Sequence, residues 1–128
     1  MRSRVLLSVA MLPVLFQVSQ VRADSVGDAA SGKRLFGQCM ACHVVKADAP
    51  RMMGPNLYGV VGRKAAAVPD FAYSAAMKNS AVVWNEQELG EYLKKPAAFM
   101  PGTSMVFFGV PQDQARADII AYLKEAVQ

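Results

Sequence analysis

The 128-residue sequence has few side chains that bind metals or form disulfides: it contains one histidine and two cysteines. Two cysteines cannot supply the several bridges of a disulfide-rich secreted scaffold. One histidine excludes any site that needs two imidazoles from one chain, and the three residues together are too few for a four-ligand zinc site. Any metal chemistry in this chain must therefore use its single histidine.

Charge is also scarce and unevenly placed. The 14 basic and 10 acidic residues give a net charge of +4 and a pI near 9.3. Three of the basic residues, Arg2, Arg4 and Arg22, lie close to the N-terminus, and without them the net charge is +1. So small a surplus does not support a nucleic-acid-binding surface, and we expect no nucleic acid partner.

The N-terminal segment has the pattern of an export signal. Arg2 and Arg4 precede 14 mostly apolar residues at positions 5–18, and Ala23 ends a small-residue cleavage pattern. A helix of that length reaches about 21 Å at about 1.5 Å per residue, short of the roughly 30 Å of membrane hydrocarbon.

We predict a signal peptide cleaved after residue 23 and one domain at residues 24–128, a length that suits a single domain. Export implies the periplasm of a Gram-negative bacterium, with no membrane association after cleavage. The alternative is an uncleaved membrane anchor.

Hydrophobic periodicity predicts an all-α domain with long irregular connections. We expect a first helix at residues 29–38 capped by Asp28, a helix capped by Asn85 and ended by Pro96, and a last helix that runs through Gln128. The segments at 43–80 and 97–111 are expected to be loops with at most short helices, and no segment alternates clearly enough to be a strand. Loops this long are uncommon in a small domain unless a large apolar group organises them.

The motif Cys39-Met40-Ala41-Cys42-His43 supplies an attachment point for such a group. Two thiols three residues apart can each add to a vinyl group of a haem, and the adjacent histidine can bind its iron. A thioredoxin-like pair would need a βαβ context, which the sequence lacks, and a local disulfide is the other alternative. The motif predicts one covalent haem c with His43 as an axial ligand.

The second axial position is narrowed by elimination. No second histidine exists and both cysteines are used, which leaves a lysine, an open site or one of six methionines: Met40, Met52, Met53, Met77, Met100 and Met105. Met40 lies inside the attachment turn and cannot reach the opposite haem face. Met105 follows a constrained Pro101-Gly102 turn about 60 residues beyond His43, and Met100 is its nearest competitor.

Over residues 27–126 the chain resembles the class I cytochromes c of mitochondria and bacterial periplasms. The resemblance rests on motifs that occur in the family's order: Gly32-x-x-Leu35-Phe36, Cys39 to His43, Gly54-Pro55-Asn56-Leu57, Gly62-Arg63, Trp84, Tyr92-Leu93, Pro101-Gly102-Thr103-x-Met105 and Ala121-Tyr122-Leu123. It implies about three main helices, with short helices and long loops, wrapped around one covalently attached haem. It also implies that the first and last helices cross closely at Gly32, near Phe36, Ile119 and Tyr122.

The resemblance further implies roles for individual residues. Met105 would be the sixth ligand, and the Pro55 carbonyl would accept the imidazole N–H of His43. Tyr92 and Thr103 would lie beside the methionine ligand and tune it. The residues that match positions bonded to the haem propionates are Arg63, Tyr73 and Trp84; without the resemblance they would be a surface charge and two core aromatics.

Two features depart from the family pattern. Met77 stands where many relatives place an asparagine beside the haem. The lysines that ring the exposed haem edge of the mitochondrial proteins are replaced here by Gln38, Ala97, Ala98 and Ser104. We therefore expect electron transfer to depend only weakly on ionic strength.

These features together predict a monomeric one-electron carrier that docks transiently on an electron donor and an acceptor. A haem closed on both faces by His43 and Met105 offers no site for substrate, so no enzymatic activity is expected. Two alternatives remain at this stage. One is a haem enzyme, peroxidase-like or gas-binding, with an open sixth position, and the other is a carrier tethered to the membrane by residues 5–18.

Overall fold

The structure, a computed structural model, describes residues 26–126. The predicted signal peptide lies outside this range, as do the last two residues of the predicted C-terminal helix. The described chain forms five α-helices and a short 3₁₀ helix at Phe36–Cys39; the α-helices are α1 Ala29–Leu35, α2 Ala75–Lys78, α3 Glu86–Lys94, α4 Pro96–Phe99 and α5 Asp113–Glu125. Residues 26–126 contain no strand, only an isolated bridge between Lys64 and Val83. No helix of this region has the length and apolarity needed to cross a membrane.

Helix α1 begins where the sequence predicts and ends three residues early. The Asp28 carboxylate accepts a hydrogen bond from the Ser31 amide at 2.6 Å and caps the helix. After Leu35 the chain tightens into the 3₁₀ helix instead of continuing as α-helix to Gln38. The Cys39 carbonyl then accepts hydrogen bonds from the amides of Cys42 and His43, at 3.1 and 2.9 Å. The attachment motif is therefore wound into one compact turn.

Helices α1 and α5 cross with their backbones in contact, which confirms the predicted crossing. A Cβ atom on Gly32 would lie 1.9 Å from the Asp118 carbonyl oxygen, a distance that no side chain can adopt. Beside the crossing, the rings of Phe36 and Tyr122 pack with centroids 5.3 Å apart, and Ile119 is buried. Gly27 makes a second close approach, because its Cβ would lie 2.1 Å from the Ala117 carbonyl oxygen. No local sequence pattern predicts this second contact.

The predicted loop at 97–111 is wrong at its start, because residues 97–99 belong to the short helix α4. The Asn85 side chain accepts from the Glu88 amide at 2.8 Å and caps α3, as expected. Helix α3 ends at Lys94, and Pro96 then opens α4, because proline suits the first turn of a helix, where an amide hydrogen would have no helical partner. The irregular segment therefore starts after Phe99.

Helix α5 ends at Glu125, before the predicted end at Gln128. Near its start, the buried Arg116 guanidinium donates to the carbonyls of Val110 and Pro111, at 2.7 and 2.8 Å, and pairs with Asp113. A buried cation thus ties the end of the preceding loop to α5.

Side-chain to backbone hydrogen bonds also organise the long segment between the attachment motif and α2. The Asn56 amide donates to the carbonyls of Lys46 and Ala49, at 2.8 and 3.1 Å. Arg63 donates to the carbonyls of Tyr58 and Asn56, at 3.0 Å each. These bonds satisfy carbonyls that have no helix or sheet partner.

Replacing Gly32 by alanine should destabilise the protein, because the new methyl group would force α1 and α5 apart. Overpacking of this kind costs about 1–3 kcal/mol, and we expect a lower guanidinium midpoint for the haem-loaded protein. Gly37→Ala is the matched control, since nothing lies within 4 Å of a Cβ at that position. Equal midpoints for the two variants would contradict the crossing geometry.

Candidate cofactor site

A cavity of about 320 Å³ opens among the helices and the long loops. Its walls are largely apolar and include Phe36, Leu89, Ile119 and Leu123 from α3, α5 and the 3₁₀ helix. Every residue that the sequence analysis assigned to the site lines this cavity: Cys39, Cys42, His43, Pro55, Arg63, Tyr73, Trp84, Tyr92, Thr103 and Met105. Residues up to 66 positions apart in the sequence are thus brought to one enclosed space.

His43 is fixed by the loop that follows it. Its Nδ1 lies 2.8 Å from the Pro55 carbonyl oxygen, and since a carbonyl only accepts, Nδ1 carries the hydrogen. Burial lowers the pKa of His43, although the Pro55 hydrogen bond opposes this effect. The ring is therefore neutral with a lone pair on Nε2, which is the form that binds a metal.

Gly54 allows this ring to sit against the backbone. A Cβ on Gly54 would lie 2.5 Å from Cε1 of His43, and the Gly54 amide donates to the Cys42 carbonyl at 2.7 Å. In the sequence, Gly54 is recognisable only as part of the family motif Gly54-Pro55-Asn56-Leu57. The sequence signal for this role is the position of Gly54 directly before Pro55, whose carbonyl binds the imidazole.

Cys39 and Cys42 are half-buried and not joined in a disulfide. Burial, together with the neighbouring Cys42, raises the pKa of the Cys39 thiol to about 11, so the thiol stays protonated at neutral pH. The Cys42 sulfur lies 3.8 Å from the sulfur of Met53, which also lines the cavity. Both thiols are therefore available at the cavity wall for attachment.

A hydroxyl pair holds the segment that carries Met105. The Tyr92 hydroxyl lies 2.9 Å from the Thr103 hydroxyl oxygen, which also accepts from the Met105 amide at 3.3 Å. Burial raises the pKa of Tyr92, so its hydroxyl keeps its hydrogen. Met100 is only 6% exposed in the core and does not line the cavity, whereas Met105 does. The geometry therefore favours Met105 over Met100 as a group that reaches a bound cofactor.

Arg63, Tyr73 and Trp84 bring polar hydrogens to the same cavity. Arg63 uses one hydrogen from each terminal nitrogen on backbone carbonyls, which leaves three of the roughly five N–H groups of a guanidinium. Burial lowers the pKa of Arg63, a group that still remains protonated in proteins. The Tyr73 oxygen accepts from the Val68 amide at 3.3 Å, so its own hydrogen remains free to donate.

Met77 lines the cavity from α2, whose first turn is capped by Ser74 at 3.2 Å from the Met77 amide. A thioether therefore stands where the family resemblance predicts an amide. This replacement makes that part of the wall apolar.

These groups match the chemistry of a haem. The ring needs an apolar enclosure, its vinyl groups need two thiols, and its iron needs ligands such as imidazole and thioether. Its two carboxylates need donors, because unpaired charges are costly to bury. The cavity presents all of these groups, and the residues present therefore fit a covalently attached haem.

The family model described as Cytochrome c matches residues 29–126. The chain belongs to the cytochrome c family. It is 48% identical to cytochrome c of Sesamum indicum over 101 residues, which cover 78% of this chain and 91% of the relative. It is 45% identical to cytochrome c2 of Blastochloris viridis over 107 residues, 84% of each chain.

The solved structure of cytochrome cH from Methylobacterium extorquens superposes with a TM-score of 0.73 at 42% identity, covering 77% of this chain and 99% of that one. The expected all-α class I cytochrome c fold is therefore confirmed. As a member of the family, this cytochrome carries one covalently attached haem c and transfers electrons to redox partners, and it is not an enzyme.

Thr103→Val should destabilise the loop that carries Met105. It removes the hydrogen bonds of the Thr103 hydroxyl to the Met105 amide and to the Tyr92 hydroxyl, and it leaves the buried Tyr92 hydroxyl without this partner. We expect a loss of about 1–3 kcal/mol in the free energy of unfolding. Thr103→Ser keeps the oxygen and should retain most of the stability. Denaturation of the haem-loaded variants measures both, and a valine variant as stable as the serine variant would contradict this role.

Proposed function

We propose that this cytochrome is a monomeric periplasmic one-electron carrier whose haem is attached through Cys39 and Cys42 and ligated by His43 and Met105. The observation that carries the proposal is that the imidazole and this thioether line one cavity together with both thiols. A bound haem supplies a reversible one-electron change at its iron. If His43 and Met105 both bind the iron, no position would remain on it for a substrate.

The protein's own residues fix the tautomer of His43 and the position of Met105, and they offer donors to the haem carboxylates. The Pro55 carbonyl holds the hydrogen on Nδ1 of His43, which orients the ring and increases its basicity as a ligand. Thr103 fixes the backbone of Met105, and the largely apolar walls would keep water away from a bound haem. We assign Arg63, Tyr73 and Trp84 to the haem carboxylates, on the basis of the donors that they bring to the cavity.

The periplasmic location is supported by the export pattern at residues 1–23 and by similarity to bacterial cytochromes c2 and cH. We propose that its partners are two redox proteins, an electron donor and an electron acceptor, which it binds transiently. We propose no interaction with nucleic acid, and none with a membrane after cleavage of the signal peptide. A near-neutral mature protein supports this assignment, because ferric haem with both carboxylates ionised adds about −1 to the net charge of +1.

Met105→Ala tests the closed site. The wild-type ferric protein should show a sulfur–iron charge-transfer band and the ferrous protein should not bind carbon monoxide, whereas the alanine variant should lose the band and bind the gas. Met100→Leu is the control and should leave both properties unchanged, because Met100 lies in the core outside the cavity. Carbon monoxide binding by the wild-type protein would instead favour a haem enzyme or gas-binding protein with an open sixth position.

The intact mass of the purified protein tests processing and attachment together. We expect the mass of residues 24–128 plus one haem, stable under denaturing conditions because the haem is held by thioether bonds. A mass of 13.8 kDa plus one haem would show that the N-terminal segment is retained and would favour the tethered carrier.

A further inference from the structure

The methionines at residues 26–126 fall into two groups by their exposure to solvent. Three are buried in the core or half-buried in the cavity wall: Met77, Met100 and Met105. The other three are exposed, by 81% at Met53, 61% at Met40 and 48% at Met52. A methionine usually fills an irregular gap in a core, and this packing role does not account for side chains that stand in solvent.

The exposed methionines lie next to the haem-attachment motif. Met40 is inside the attachment turn, between the two cysteines. Met53 is eleven residues beyond Cys42 in the sequence, but the chain returns to the turn because the Gly54 amide donates to the Cys42 carbonyl at 2.7 Å. The sulfur of Met53 then lies 3.8 Å from the sulfur of Cys42. Met53 also lines the cavity, whereas Met40 and Met52 do not.

A thioether that solvent can reach is open to oxidation by hydroperoxides, which convert it to a sulfoxide. With hydrogen peroxide, a sulfur lone pair attacks one oxygen and the O–O bond breaks. The first oxygen becomes the S=O oxygen, and the second leaves as hydroxide and takes the proton of the first, which gives water. The sulfur is oxidised by two electrons and the peroxide is reduced by two. Exposure therefore makes Met53 the methionine that such an oxidant reaches most easily.

A sulfoxide at Met53 would change the cavity wall beside Cys42. Oxidation converts a flexible apolar side chain into a polar one, which attracts water. The ferric iron–porphyrin centre is cationic, whereas the ferrous centre is neutral, so a polar and hydrated neighbour stabilises the ferric form. The polarity around a haem is one of the properties by which a protein sets its potential. We therefore expect this sulfoxide to lower the reduction potential.

We propose that Met53 is a site of reversible oxidation by small hydroperoxides, and that its sulfoxide lowers the reduction potential of the haem attached at Cys42. The inference rests on the proposed function, because it requires a haem in the cavity. Met40 and Met52 meet the same oxidant but lie outside the cavity wall, so their sulfoxides should leave the potential nearly unchanged. Met53 thus links the level of oxidant to the driving force for electron transfer.

Limited treatment of the ferric, haem-loaded protein with hydrogen peroxide tests the site of oxidation. Peptide mass mapping should find one added oxygen at Met53 before it finds one at Met40 or Met52, and Met100 should remain unmodified because it is only 6% exposed. The sulfur–iron absorption band should persist through this treatment, since the lone pair of Met105 is held by the iron.

The midpoint potential before and after treatment tests the effect on the haem. We expect oxidation of the wild-type protein to lower the potential enough to change its equilibrium with a fixed electron acceptor several-fold. Met53→Leu keeps an apolar side chain of similar size without the sulfur, and its potential should not respond to peroxide. Met40→Leu is the matched control, because it removes an exposed thioether from the same region and should retain the shift.

Two further measurements test the chemistry of the modification. Met53→Gln imitates the polar sulfoxide and should lower the potential without peroxide. Methionine sulfoxide reductases, one for each sulfoxide epimer, should restore the potential of the oxidised wild-type protein. Recovery would show that the shift comes from a sulfoxide and not from irreversible damage to the haem.

Three results would overturn the proposal. Oxidation of Met100 ahead of Met53 would show that exposure does not select the site. An unchanged potential after complete oxidation of Met53 would show that the sulfoxide does not act on the haem. A shift of equal size in Met53→Leu would assign the effect to another residue.

The absorption spectrum of the untreated protein separates this inference from the proposed function. Absence of the sulfur–iron band before any peroxide is added would refute ligation by Met105. An intact band, together with a potential that does not respond to oxidation at Met53, would refute only the inference drawn from Met53.

Discussion

The cavity depends on the close crossing of α1 and α5 at Gly32. Contact between the two backbones places Phe36 beside Ile119 and Tyr122, and Phe36 and Ile119 form part of the cavity wall. The 3₁₀ helix that begins at Phe36 leads directly into the attachment motif. The position of Cys39, Cys42 and His43 therefore depends on the backbone contact at Gly32 of α1, where only a glycine fits.

The loops around the cavity are ordered mainly by hydrogen bonds, because they have little regular structure. Arg116 binds the carbonyls at the end of the Met105 segment, Thr103 binds within that segment, and Asn56 and Arg63 bind the loop on the histidine side. Each bond holds backbone that no helix or sheet supports. A haem in the cavity would supply the apolar surface on which the same loops pack, so these polar bonds and the cofactor stabilise complementary parts of one site.

The sequence predicted the local features well, because each depends on neighbouring residues. The caps at Asp28 and Asn85 and the attachment motif are patterns within a few positions. The close approach of Gly27 to the Ala117 carbonyl depends on backbone that lies far away in sequence, and no local pattern reports it. Elimination among the methionines also left Met100 and Met105 open, and only the packed structure buries Met100 in the core and brings Met105 to the cavity.

The distribution of charge connects this architecture to the role of a carrier. Three of the cations that make the whole chain basic lie in the predicted signal peptide, and the cavity mouth keeps only Lys64 among its exposed residues. Steering by charge speeds association, whereas small apolar contacts govern how long two proteins stay together. A carrier must leave each partner as readily as it arrives. With one cation among the exposed residues that line the cavity, we expect charge to steer partners to this surface only weakly.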